Sequence, residues 1–424
     1  MRFLLLTQYY PPEIGAAQVR LHNVAKALNT LGHEVRVMTA LPNYPKGEVF
    51  ADYQGRRRVQ EEVDGIAIER HWVYPVSDSG MRRLLCYASF QWSSLLPLIR
   101  LSRKWRPDFL FVESPPLFLG LSAIALKRLL RVPFIFNVAD LWPDWAVDMG
   151  VIKKEGLLHK VARFLESWIY RESERVNIVV QDMRSALVGK GLAESKLLFL
   201  PNGVDLDLFS AQKRAFKSDV ARELAGKYPH RQLIIYAGTH GKYHGLEVAI
   251  DAAKQLEGRP DVLFVFVGEG SEKARLMAYA QRNQVSNTLF LPSVPPDVLA
   301  ELLQIASIAL SVIQIPTRAA KVFPAMASGK PLVYAGRGEG AALVQEAGAG
   351  LVVPPDDSQE IADAVVRLID DKELRVTLGL AGRQYVETNL SWTKLVRDWL
   401  FELEGRSGKD YGGTGAQCVH PQRQ

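Results

Sequence analysis

Apolar residues along this chain alternate between two rhythms. Short, nearly unbroken apolar runs predict buried strands, and stretches with apolar residues every three or four positions predict helices. "RFLLLT" opens the chain as a strand, and the loop "QYYPPEIGAAQ" follows. "VRLHNVAKALNTLG" then sets Val19, Leu21, His22, Val24, Ala25 and Leu28 at helical spacing, with Gly32 as its stop. "HEVRVMT" returns as a strand. A strand, a helix and a strand within about 40 residues form a βαβ unit, which requires a parallel sheet covered on both faces. "FLFVES" and "FIFNVAD" bracket the helix "FLGLSAIALKRLL", and "VNIVVQD" and "LLFLPNG" end this half.

The phrase restarts near residue 231 with strand "QLIIYAG", helix "LEVAIDAAKQLEG" and strand "VLFVFVG". It continues through "SEKARLMAYAQRN", "TLFLPS", "PDVLAELLQIA", "SIALSVI", "PLVYAG", "AGLVVPP" and "SQEIADAVVRLIDD". The fold class is therefore α/β, with two doubly wound domains in series rather than a short-period solenoid. The expected boundaries are 1–200 with a returning helix at 391–404, then 201–390, then a disordered tail at 405–424. The charged segment 211–231 reads as the first helical decoration of the second domain.

Composition narrows the class. The chain has 424 residues, 48% hydrophobic and 23% charged, as expected of a soluble multidomain protein. Its two cysteines, Cys86 and Cys418, cannot form a disulfide framework, which points to a reducing, cytosolic setting. The opening run is short and soon meets prolines, so it reads as a strand rather than a leader. A net charge of +6 suits anionic ligands or an anionic membrane surface, and no motif supports nucleic-acid binding.

Ligands of open α/β sheets lie beyond the carboxyl ends of the strands. In "PPEIGAAQ", Glu13 precedes the small residues Gly15, Ala16 and Ala17, which let backbone amides approach a ligand at a helix start. The loop lacks the G-x-G-x-x-G pattern, which argues against a nicotinamide enzyme. "NVADLWPDW" places Asp140 and Asp144 near Trp142 and Trp145, whose flat rings suit sugars; a helix cap is the competing reading. "YAGTHGKYHG" offers Gly238, Thr239, Gly241 and Gly245 for close approach, with His240, Lys242 and His244 as donors. "VGEGSEKARL" repeats the design with Gly268, Glu269 and Gly270. In "KVFPAMASGKP", Arg318 and Lys321 precede a short helix, flanked by Ala320 and Val322, and Pro324 fits its first turn. Either a phosphate site or a capped helix with solvated cations satisfies that stretch.

Together "PPEIGAAQVRLHNVAKALNTLGHEVRVMT", "DLWPDWAVDMG", "LPNGVDLDLF", "FVGEGSEKARL" and "AMASGKPLV" resemble the retaining glycosyltransferases of family four, which have the GT-B fold. The likeness runs from Arg2 to about Leu403, and "DLWPDWAVDMG" is most similar to the subgroup building bacterial surface polysaccharides, including fucosamine transferases. The resemblance implies transfer of a sugar, an aminodeoxyhexose among the candidates, from a UDP-linked donor to a glycan or polyprenyl-diphosphate-linked acceptor. It implies no metal or other cofactor. Lys321, Arg318 and Asp140 take the catalytic expectation. Donor binding falls to Gly15, Ala16, Gly238, Thr239, Lys242, His244, Gly268, Glu269, Gly270, Ala320, Val322 and Pro324. Glu13, Trp142 and Asp144 fall on the acceptor side.

The sequence also departs from the family pattern. Pro316 and Pro324 stand where members commonly carry two glutamates, the second of which grips the ribose. The usual Arg and Lys on the diphosphate fall near Thr239 and His244, and a common histidine is Ala139. A sugar-nucleotide 2-epimerase and a catalytically weakened binding partner therefore stand as alternatives. Residues 81–106 mix Leu, Phe and Trp with basic ends; they suit a cytoplasmic membrane face, or core-packed helices interrupted at Pro97.

Overall fold

The computed structural model describes residues 1–13, 15–44, 46–76, 81–148, 152–210, 215–315 and 320–405. The first half forms an eight-stranded sheet: β1 (Arg2–Leu6), β2 (Glu34–Ala40), β3 (Arg58–Val63), β4 (Ile66–His71), β5 (Phe109–Ser114), β6 (Phe134–Val138), β7 (Arg175–Ile178) and β8 (Leu197–Phe199), in the order β3-β4-β2-β1-β5-β6-β7-β8. All neighbours are parallel except β3, which pairs antiparallel with β4. The central strands are apolar on both faces because helices cover both. On one side Phe3, Leu5, Phe111 and Ile135 meet the helices Ala16–Thr30 and Trp392–Leu403. On the other, Leu4, Leu110, Val112 and Phe136 meet Met81–Trp105, Leu119–Leu130 and Leu157–Glu172.

The second half forms a six-stranded, fully parallel sheet: β9 (Gln232–Ala237), β10 (Val262–Val267), β11 (Thr288–Leu291), β12 (Ile308–Val312), β13 (Leu332–Ala335) and β14 (Gly350–Val353), ordered β11-β10-β9-β12-β13-β14. Val204 bridges to Ser391 where the chain enters and leaves this half. Gly203 permits that approach, since a Cβ there would lie 2.8 Å from the Leu390 carbonyl oxygen. The last helix then returns to the first sheet, with Trp399 packed between Phe3 and Phe111.

Several elements differ from the sequence expectation. Residues 81–105 form one helix that runs through Pro97, not a pair. The β3–β4 hairpin went unread, although Asp64-Gly65, both at positive φ, is the two-residue turn that favours it. Within 211–231 the helix is Asp219–Lys227, capped where Ser218 Oγ accepts the Ala221 amide; residues 211–214 and the tail from 406 lie outside the described residues. Strand order reverses direction at β1/β5 and at β9/β12. Connections leave those neighbouring strands towards opposite faces, which opens a crevice at their carboxyl ends.

Candidate functional site

In the first domain, the loops after β1, β5 and β6 frame the crevice. Glu13 is buried, and its carboxylate accepts the backbone amides of Tyr10 (3.2 Å), Asn43 (2.7 Å) and Tyr44 (2.8 Å). Burial pushes its carboxyl up to about 7 despite those donors. Glu13 thus ties the loop after β1 to the loop after β2 rather than offering a free acceptor group. Gly15 heads the helix Ala16–Thr30 in extended conformation.

That helix carries Arg20, whose guanidinium pairs with Glu113 at the end of β5; both side chains are buried. Glu113 also accepts Asn137 Nδ2 at 2.5 Å, Asn137 accepts Asn177 Nδ2 at 2.5 Å, and Asn177 accepts Trp399 Nε1 at 3.0 Å. Glu113, Asn137 and Asn177 are register partners on β5, β6 and β7. A polar row therefore crosses the sheet one layer below its rim and joins the returning helix to the crevice. Asp140 lies just above it, after β6. Burial raises its carboxyl above the usual range, and the charge of Arg20 opposes that rise.

Trp142 packs against the core rather than standing free, and Asp144 is tied to Lys190 (2.7 Å) and Arg163 (3.4 Å). Asp144 is thus held in ion pairs while remaining partly open to solvent. Nothing is described of the Trp145 or Ala16 side chains.

In the second domain, the loops after β9, β10 and β12 converge. A Cβ on Gly238 would sit 3.1 Å from both Cδ and Nζ of Lys321 and 3.2 Å from the Tyr236 hydroxyl. The bare backbone at the end of β9 is what lets the lysine lie across it, with its ammonium 5.9 Å above the Tyr236 ring. Tyr236 in turn donates to the Thr239 carbonyl at 2.9 Å. Lys321 Nζ meets His244 Nε2, while His244 Nδ1 lies 3.3 Å from the Gly241 carbonyl. The carbonyl requires the proton on Nδ1, so Nε2 presents a lone pair to the ammonium.

Lys321 is open to solvent on one side and hemmed by protein on the others. That desolvation lowers its ammonium to about 8. Desolvation first, and Lys321 second, hold His244 down at about 4, so it is neutral at physiological pH. Lys242 is exposed on the same loop.

Gly268 approaches still more closely. A Cβ there would fall 1.9 Å from the Gly238 carbonyl oxygen, at a φ of +152°; at Gly270 it would meet the His240 carbonyl oxygen at 2.2 Å. The two loops pack backbone on backbone only because these positions are glycines. Glu269 pairs with Lys273 at 2.7 Å. His240 is fully buried between Tyr236 and Phe290, with no partner for either ring nitrogen among the described residues.

The helix after β12 spans only Val322–Ala327. Pro324 takes its third position, where a missing N–H breaks no helical bond, but so short a helix has little macrodipole. The ammonium of Lys321, not the helix, supplies the charge there. Ala320 and Val322 flank it, and Arg318 and Pro316 lie outside the described residues.

The structure thus brings Gly238, Thr239, His244 and Lys321 together and sets Gly268 and Gly270 against them. The sequence reading missed Arg20, Glu113, Asn137 and Asn177. The signal was present: the strands "FLFVES", "FIFNV" and "RVNI" each carry a hydrogen-bonding residue, Glu113, Asn137 or Asn177, among apolar ones near the carboxyl end.

Two family models match, the glycosyl transferase 4-like domain over residues 15–203 and glycosyl transferases group 1 over residues 218–385. WcaI of Escherichia coli strain K12, a glycosyl transferase named for colanic acid biosynthesis, is 27% identical over 419 residues, covering 96% of this chain and 100% of WcaI. WbjE of Pseudomonas aeruginosa, named as a glycosyltransferase, is 26% identical over 309 residues, covering 68% of this chain and 72% of WbjE. HepE of Anabaena, solved with UDP and glucose, superposes with a TM-score of 0.67 at 18% identity, covering 95% of this chain and 99% of HepE. These likenesses favour a transferase over an epimerase. A crevice at each strand-order reversal, two matched domains in tandem and full-length likeness of fold all lead to one assignment: the chain belongs to the two-domain glycosyltransferases of the GT-B fold.

Proposed function

We propose that this glycosyltransferase moves a sugar from a UDP-linked donor to a glycan or polyprenyl-diphosphate-linked acceptor, with retained anomeric configuration, in the assembly of bacterial surface polysaccharide. The observation that carries this reading is Lys321 lying across Gly238 at the β9/β12 crevice, a desolvated cation over exposed backbone where a diphosphate would sit. The naming of WcaI for colanic acid biosynthesis and the UDP bound in HepE support it.

In the reaction the bond from the anomeric carbon to the diphosphate oxygen breaks, and its electron pair leaves with the diphosphate. The acceptor oxygen bonds on the same face, and its proton passes to the departing phosphate. Lys321 stabilises the charge that develops on the diphosphate, Lys242 adds to the local field, and Asp140 orients a hydroxyl. Pro324 offers no acceptor to the ribose, so a group other than that residue must hold it. An N-acetylated aminodeoxyhexose is the first donor sugar to test. The helix Met81–Trp105, with exposed Leu85, Trp92 and Leu96, fits a membrane-linked acceptor.

Calorimetry with UDP and a panel of UDP-sugars, on the wild type and Lys321→Ala, tests the reading. Heat of binding that is lost in the variant is expected, together with lost donor hydrolysis. Wild-type protein that binds no uridine nucleotide, or a variant that turns over unchanged, would sink it.

A further inference from the structure

The helix Leu157–Glu172 carries apolar residues on its outward face as well as on the face that meets the core. Its inward face holds Ala162, Glu166, Ile169 and Tyr170, so a carboxylate is buried there, paired with Lys190 at 2.7 Å. Its outward face carries Leu157, Val161 and Phe164, at helical spacing, with Leu158 beside them. Leu157 is 79% exposed and Phe164 67% exposed. Single exposed apolar residues are ordinary, but a contiguous stripe on an amphipathic helix marks a surface that meets something apolar.

The charges around the stripe identify that partner. Lys153, Lys154, Lys160 and Arg171 are all exposed, and none forms an ion pair among the described residues. Glu155 is the exposed acid at the helix start, and Glu172, at its end, is neutralised by Arg128 at 2.8 Å. An apolar ridge edged by free cations matches a bilayer whose headgroups are anionic: the side chains enter the acyl boundary and the ammonium groups stay at phosphate level. A second exposed apolar group lies in the same layer. The helix lies beside Leu119–Leu130, which lies beside Met81–Trp105 in the same layer, and Trp92 on that helix is 75% exposed.

We infer that the outward face of Leu157–Glu172 is a docking surface for an anionic lipid bilayer. It stands apart from the donor-site reading, since it lies on the helical layer behind the first sheet and shares no residue with that site.

The test is co-sedimentation of the full chain with vesicles of phosphatidylcholine, with and without about 30% phosphatidylglycerol. The wild type is expected to sediment with the anionic vesicles and to be released by salt. Leu157→Asp with Phe164→Asp should lower partitioning about tenfold or more, because two inserting side chains are replaced by anions. Lys153→Glu, Lys154→Glu and Lys160→Glu together should abolish the preference for phosphatidylglycerol, at roughly fivefold per lysine. UDP binding and the thermal midpoint should not move in either variant, which separates this result from failure of the donor site or of folding. Wild type that ignores anionic vesicles overturns the proposal. So does a stripe variant that binds vesicles unchanged while an oligomer dissociates to monomer in light scattering, which would assign the stripe to a second copy of the chain.

Discussion

Replacing Arg20 with methionine is the sharpest probe of the polar row beneath the crevice. The change removes the cation from Glu113 and leaves the carboxylate with one neutral donor, Asn137, at 2.5 Å. Breaking a buried pair from one side costs about 3–5 kcal/mol. The protein can escape part of that by protonating Glu113. Holding a glutamate protonated at pH 7, against an unfolded-state value of about 4.3, costs about 1.4 kcal/mol for each of roughly 2.7 pH units, or about 3.7 kcal/mol. The two estimates agree, so the loss at pH 7 should be about 3–4 kcal/mol.

At pH 5 the same protonation costs only about 1 kcal/mol. Burial already raises the Glu113 carboxyl in the wild type, with Arg20 opposing the rise, and removing Arg20 raises it further. A carboxyl whose folded-state value lies above its unfolded one loses stability as pH climbs through that interval. The deficit of Arg20→Met should therefore grow from pH 5 to pH 7. Urea unfolding followed by tryptophan fluorescence measures it at both values. Adding Glu113→Gln should recover much of the loss, because no buried charge then remains. A deficit equal at both pH values, or a double variant no better than the single one, would refute the account of Glu113 as a buried, paired carboxylate.

Two further outcomes follow from the second domain. Gly268→Ala should cut UDP binding about tenfold or more in calorimetry while the first domain keeps its fold, since the new Cβ would overlap the Gly238 carbonyl oxygen and force the two loops apart. UDP affinity should fall between pH 7 and pH 9, because the Lys321 ammonium, lowered to about 8, loses its proton across that range; Lys321→Met should bind more weakly at pH 7 and flatten the profile.

Much of the architecture was legible in the sequence. The runs "FLLL", "FLFV" and "VLFVFV" are apolar at both alternate and intervening positions, as a strand covered on both faces requires. The loops at Gly238, Gly268 and Lys321 were legible too, since a ligand in this class of sheet meets the carboxyl ends of strands. The uses of individual side chains were not. The resemblance places Asp144 and Glu13 on the acceptor side; in the fold Asp144 is tied to Lys190 and Arg163, and Glu13 is clasped by three backbone amides. The helix Leu157–Glu172 has no counterpart in the sequence reading, and periodicity cannot say which face of a helix turns inward.

By itself, then, the sequence determined the two α/β domains, the parallel pairing and the loops at the carboxyl ends of the strands, because hydrophobic period and turn chemistry act over neighbouring residues. Only the tertiary structure decided that Lys321 lies across Gly238, 83 positions away (321 − 238), and that Arg20, Glu113, Asn137, Asn177 and Trp399 join in one row. Those contacts depend on strand order and register, which bring distant residues side by side with no trace in local spacing.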